Sequence, residues 1–221
     1  ELAQQAFANR LPLRSYQIFL ALGADYVFVG PVEQRADYHP QKFHQPFYFN
    51  PIYEHDDVSI FEIRSLLSNQ TQATFDNGLI EFRGYFIDPT PVYPGDQAAI
   101  PSPGEAEAPP GLVTAWRLTR PTGKNYTVFI HLVDAKGNIV AQADHQLWAW
   151  DVKTEGPTTT WTPNLTHLDL VPVPEAALTT GQALTIRLGL WLPDTGQHFP
   201  VETTSLEVDE GNRLVIGRLS R

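Results

Sequence analysis

Cysteine is absent from all 221 residues, and so is methionine. Without a thiol the chain cannot support thiol catalysis, disulfides, zinc–thiolate sites or iron–sulfur clusters. Basic residues are scarce: 15 Lys and Arg stand against 25 Asp and Glu, a net charge of −10. Phosphate backbones and anionic lipid surfaces are held by Lys and Arg, so this balance argues against both as partners. No apolar run approaches the roughly eighteen residues of a membrane-spanning helix. The opening at Glu1 has no basic or apolar leader pattern, and it reads as an internal position of a longer parent. Catalytic signatures are missing as well. GxSxG, a P-loop, GxGxxG and Asp-x-Asp do not occur, and the seven histidines form no HExxH or related spacing.

What remains is an apolar fraction of 42%, enough for a folded core. Leu2 to Arg10 and Leu13 to Leu22 carry apolar residues at helical spacing, with Pro12 at a helix start and Gly23 as a stop. Tyr26 to Val29 reads as a buried strand, Phe47 to Tyr53 as a broken apolar run, and Val58 to Ile63 as an alternating strand. Residues 1–67 are therefore expected to form a small α/β unit, with the polar stretch 68–74 as a linker. After it the pattern turns to β. Strands are expected at Leu79 to Ile87, Leu112 to Thr119, Tyr126 to Val133, Ile139 to His145, Leu165 to Val171, Ala183 to Leu192 and Arg213 to Leu219, with a weaker one near His198. Asp134-Ala135-Lys136-Gly137-Asn138 supplies hairpin chemistry between two of them. The expected fold is mainly β: a β-sandwich of jelly-roll or immunoglobulin-like type over 75–221, behind the small α/β unit. The proline-rich excursion 88–111 interrupts it.

Leu20 to Gln34 (LALGADYVFVGPVEQ), Tyr38, Lys42-Phe43, Phe49-Asn50-Pro51-Ile52-Tyr53 and Val58 to Arg64 (VSIFEIR) carry a resemblance. This pattern resembles the soluble tail of YYY-type multi-pass membrane proteins, relatives of the dolichyl-phosphate-mannose mannosyltransferases. The later part is similar to the β-sandwich appended to many such proteins, through Trp116, Tyr126 to Asp134, Gly137, Val140 to Asp144, Pro157 to Trp161 and Gly189 to Trp191. The resemblance implies a bacterial, extracytoplasmic, non-catalytic accessory domain whose partners are a glycan or its own membrane portion. It transfers no active site, because the family's chemistry belongs to the membrane part.

Three tryptophans are the candidate ligand-binding residues: Trp148, Trp150 and Trp161, in a segment spaced like a long loop. Aromatic faces beside Asp, Asn or Gln are how sugar rings are held, by stacking and hydrogen bonds. The competing reading is that these rings anchor the loop to the core. Trp116 and Trp191, mid-strand, read as core or sheet-face packing. Asp194-Thr195-Gly196 copies the aspartic-protease triplet, but Pro193 before it and a single copy make it a turn. His39, His44 and His55 lie near Asp56 and Asp57 and read as solvated loop residues. No catalytic residue, cofactor or metal ligand is assigned; Asp151 or Asp169 is the kind of carboxylate that holds a structural calcium, though no spacing requires one. A purely structural tail and a free-standing glycan hydrolase are the alternatives, the latter needing two converging carboxylates or a Ser/His pair.

Overall fold

A computed structural model of the chain describes residues 2–35, 38–67, 70–89, 91, 109–150 and 155–219, with the side chains at 149, 150, 155 and 203 outside that description. These residues are mainly β, with helices at the N-terminus and several antiparallel sheets. They divide into two compact units, one running to Leu66 and the other covering Leu67 to Pro89 and Pro109 onward. Most of the proline-rich excursion, 92–108, lies outside the described residues. Among the described residues no helix is long and apolar enough to cross a membrane.

The first unit opens with α1 (Leu2–Ala8) and α2 (Pro12–Leu22). Pro12 sits in the first turn, where its missing N–H leaves no helical bond unmade. β1 (Tyr26–Val29), β2 (Phe49–His55) and β3 (Val58–Ile63) pair antiparallel in the order β1-β3-β2. The inner face of this sheet buries Val27, Val29, Phe49 and Phe61. Phe43 and Phe19 pack on Phe49 edge-on, with ring centroids 5.2 and 6.4 Å away. Strand β1 is buried on one side only: Tyr26 and Phe28 point outward and are exposed. An apolar run of four puts side chains on both faces of a sheet, and here one face alone packs on the unit's aromatic core. Two buried polar groups brace this core. The Tyr16 hydroxyl donates to the Arg64 carbonyl at 2.9 Å, and burial pushes it up to about 12. Lys42 donates to the carbonyls of Phe7, Asn9 and Tyr38 at 2.5, 2.6 and 3.1 Å, while burial pulls its amine down to about 7.

In the second unit β4 (Ala73–Phe75), β5 (Ile80–Asp88) and β6 (Gly111–Leu118) precede β7 (Thr127–Val133), β8 (Ile139–Gln142), β9 (His145–Gln146), β10 (Trp148–Trp150) and β11 (Glu155–Pro157). Then come β12 (Thr166–Pro172), α3 (Glu175–Thr179), β13 (Leu184–Leu192), β14 (Gln197–Phe199), β15 (Thr203–Thr204), β16 (Glu207–Val208) and β17 (Leu214–Leu219). One antiparallel sheet runs β12-β6-β5-β4-β15. The other runs β16-β17-β13-β7-β8, with β14 beside β13 and β9 beside β7. Neither closes into a barrel. Phe82, Leu112, Trp116 and Leu118 of the first sheet share one core with Val128, Ile130, Leu132, Leu188 and Leu214 of the second.

The alternation in β13 explains its role. Leu184, Ile186, Leu188 and Leu190 are buried, each contributing about 2 kcal/mol by leaving water. Thr185, Arg187, Gly189 and Trp191 therefore face the other side. The hairpin at 134–138 forms around Asp134, whose Oδ1 accepts the N–H groups of Lys136 and Asn138, both at 2.8 Å. Gly137 there takes φ 88, a left-handed conformation that favours glycine. Other sequence expectations change as well: the strand expected over Ile139 to His145 is broken into β8 and β9. Ala73 and Thr74, expected in the linker, belong to β4, and Trp148–Trp150, expected in a long loop, pairs with Glu155–Pro157 as a two-stranded ribbon. Three-residue strands carry too little alternation to be read from sequence.

Candidate functional site

The candidate tryptophans have different surroundings. Trp161 is only 3% exposed. Its ring stacks on His167 with centroids 4.4 Å apart and planes at 17°, and its Nε1 donates to the Gly156 carbonyl at 3.1 Å. Both the face and the polar end of this indole are occupied inside the protein. Trp148 is 48% exposed. The side chain of Trp150 lies outside the described residues. Trp148 and Trp161 thus present no common surface.

Beneath Trp148 lies a buried polar network that spacing did not reveal. Asp169, considered above as a calcium ligand, is 2% exposed and receives His145 Nε2 at 2.7 Å. Thr114 Oγ1 lies 3.3 Å from Oδ2 of the same carboxylate, and the Trp148 N–H lies 3.5 Å from Oδ1. Trp116 Nε1 donates to Thr114 Oγ1 at 2.8 Å. The other ring nitrogen of His145, Nδ1, is 2.9 Å from the Ala143 carbonyl. Burial pulls the His145 pKa down, but the hydrogen bond and charge of Asp169 outweigh it and leave it raised. Acceptors at both nitrogens favour the doubly protonated ring. Asp169 is engaged by protein donors, and Asp151 lies outside the described residues. Among the described residues no cluster of three His, Asp or Glu is placed to hold a metal ion.

The accessible chemistry lies on the outer face of the second sheet. There Phe129 and His131 of β7, Trp191 of β13, His198 of β14, Asp144 and Arg213 line an open groove of about 620 Å³. Register brings them together: Phe129 lies opposite Gly189, His131 opposite Arg187, and Trp191 opposite His198 across the Pro193–Gly196 turn. A Cβ at position 189 would overlap the Phe129 ring, so glycine lets that ring lie across the β13 backbone. Trp191 and His198 stack with centroids 6.0 Å apart and planes at 16°. Phe129 meets His198 at 5.9 Å and His131 at 5.2 Å, which makes the aromatic surface continuous.

The far end of the groove is charged. Asp209 Oδ2 accepts Arg213 Nε at 2.8 Å and Nη2 at 2.7 Å, and Arg187 Nη1 at 3.0 Å. Burial raises the Asp209 pKa, but the Arg213 hydrogen bonds and both guanidiniums more than offset this and hold it below the usual carboxylate range. Arg213 Nη1 lies 3.4 Å from His131 Nδ1, and His131 Nε2 lies 3.9 Å from Asp144 Oδ1. Burial, with Arg213 and Arg187 nearby, keeps His131 below its ordinary pKa despite the carboxylates. The His131 imidazole, shifted toward its neutral form, thus stands between a fixed guanidinium and an exposed carboxylate. The arrangement can stack an apolar ring face on Trp191 and Phe129 while offering donors and acceptors at its edge.

Sequence reasoning assigned Trp191 to sheet-face packing and did not place it in a site. The available signal was the alternation that sends Trp191, Gly189 and Arg187 opposite to the leucines, together with the turn that folds His198 back onto Trp191. No protein-family model matches this chain, and no curated protein matches it either.

Proposed function

We propose that the chain is a non-catalytic, extracytoplasmic accessory region of a glycosyltransferase-like membrane protein, and that it binds carbohydrate in the groove of the β7-β13-β14 face. The observation that carries this reading is the continuous platform of Phe129, Trp191 and His198 beside Asp144, His131 and Arg213. Sugars present C–H faces to aromatic rings and hydroxyls to charged or amide edges, and this groove supplies both. The charges at its end are balanced, with Arg187 and Arg213 against Asp209 and Asp144, which suits a neutral glycan better than a polyanion. The bacterial setting and the membrane-protein context rest on the sequence resemblance.

The strand order supports an immunoglobulin-like sandwich over a jelly roll. β12-β6-β5 against β17-β13-β7-β8 follows the E-B-A and G-F-C-C′ arrangement, with β4 added beyond the A position. In such a frame the outer G-F-C face is an open surface on which binding residues are carried by rigid strands.

A glycan array probed with the wild type and with Trp191→Ala tests the proposal. Binding of neutral oligosaccharides that Trp191→Ala abolishes and Trp161→Phe retains supports it. A blank array favours the purely structural tail. Binding that survives Trp191→Ala and is lost with Trp148→Ala moves the site to the β10–β11 ribbon.

A further inference from the structure

The outer face of the N-terminal sheet carries side chains that its own fold does not use. Tyr26 and Asn50 lie opposite Glu62 on the two neighbouring strands, and Phe28 and Tyr53 lie opposite Ile60. Tyr26, Phe28, Ile52 and Tyr53 are 59, 55, 51 and 49% exposed. The open face of an antiparallel sheet is ordinarily polar, and this one is an apolar surface with a carboxylate in its middle. Glu62 accepts Asn50 Nδ2 at 3.2 Å. It stands directly across from Tyr26 and diagonal to Phe28 and Tyr53, at about 5 and 7 Å between Cβ atoms, so one ligand group can reach all four. A groove of about 560 Å³ runs beside Glu62, lined also by Asp25, Asn50, Arg64 and Ser65.

A carboxylate among aromatic faces is the chemistry that holds an organic cation: the rings attract it through their quadrupoles and the carboxylate pairs with it. Asp25 borders the same groove, and Asp56 and Asp57 form the turn between β2 and β3, so the carboxylates with Glu62 outnumber the one guanidinium there, Arg64. This negative rim opposes an anionic lipid surface. A second copy laid face to face would set the rim and Glu62 of both molecules against each other. Ile52 and Ile60 extend the apolar area past a single head group, which fits a polypeptide. We infer that this face docks a basic, apolar segment of a partner polypeptide, with an Arg or Lys entering among Tyr26, Phe28 and Tyr53 to pair with Glu62.

The test is fluorescence anisotropy of a labelled peptide alternating Arg and Leu, titrated with the full chain, beside a peptide alternating Glu and Leu. The Arg/Leu peptide is expected to bind. Glu62→Gln weakens it about tenfold, as loss of one charge-assisted pair implies, and the double variant Tyr26→Ser/Tyr53→Ser removes saturable binding. These side chains face outward, so the far-ultraviolet circular dichroism, to which helices α1 and α2 of the same unit contribute, stays unchanged. The remote variant Glu175→Gln binds like the wild type. Equal binding of the Glu/Leu peptide, or equal weakening by Glu175→Gln and Glu62→Gln, overturns the inference. So does the absence of binding by either peptide. A wild-type dimer on a sizing column that Tyr26→Ser dissolves, or co-sedimentation with phosphatidylserine vesicles, also overturns it by assigning the face to another occupant.

Discussion

Replacing His145 by Ala removes the one cation that, among the described residues, faces Asp169 at hydrogen-bond distance, 2.7 Å, in a carboxylate only 2% exposed. The remaining donors, Thr114 Oγ1 at 3.3 Å and the Trp148 N–H at 3.5 Å, are long and neutral. Deleting one partner of a buried pair costs about 3–5 kcal/mol. The His145 ring is 24% exposed, so water recovers part of this, and about 2–3 kcal/mol remains, in line with a charged hydrogen bond. The pH dependence follows from the raised His145 pKa. A group bound more tightly as its protonated form in the fold stabilises fully below its unfolded pKa near 6.5, and that contribution disappears as pH rises through the folded value. All five tryptophans belong to the second unit, so their fluorescence in urea reports its unfolding alone. Wild type minus His145→Ala is expected to show the full difference below the unfolded pKa, at about pH 5.5, and a difference that shrinks as the pH is raised. A cycle with Asp169→Asn should return a coupling of about 1.5–3 kcal/mol at the lower pH. A difference below about 0.5 kcal/mol, or one that grows with pH, refutes the assignment of an imidazolium–carboxylate lock.

Gly189→Ala forces a methyl into the Phe129 ring. It should destabilise the second unit by about 1–3 kcal/mol and displace Phe129, so glycan binding should weaken even where the protein remains folded; urea titration and array binding on one sample separate the two effects. Trp161→Ala should cost about 3–5 kcal/mol, because it empties a core site 3% exposed and removes the indole's hydrogen bond to the Gly156 carbonyl. If Trp161→Ala instead left stability intact and lost only binding, Trp161 would be a ligand residue and the core assignment would fall.

Long elements were legible in the sequence because they repeat one rule many times. The leucine alternation of β13 spans nine residues, and the Asp134–Asn138 turn names its own hydrogen bonds. β10 and β11 have three residues each, and β2 carries Pro51 with a register shift beside it, so no period is visible there. The groove was hidden for another reason. Phe129, Trp191, His198 and Arg213 come from separate strands and turns, and only cross-strand register makes them neighbours. Trp148, Trp150 and Trp161 are close in sequence. Trp161 shows how little that says about exposure, since its ring lies flat on His167 inside the protein.

The proposed glycan site is the β7-β13-β14 face. Amide and side-chain chemical shifts followed during titration with an oligosaccharide that binds the wild type test it most directly. Saturable shifts are expected, confined to Thr127 to His131, Arg187 to Trp191, His198 and Gly211 to Arg213, with affinity about tenfold lower in Trp191→Ala. Shifts centred on Trp148 and the β10–β11 ribbon, or no saturable shift at any of these positions, would contradict it.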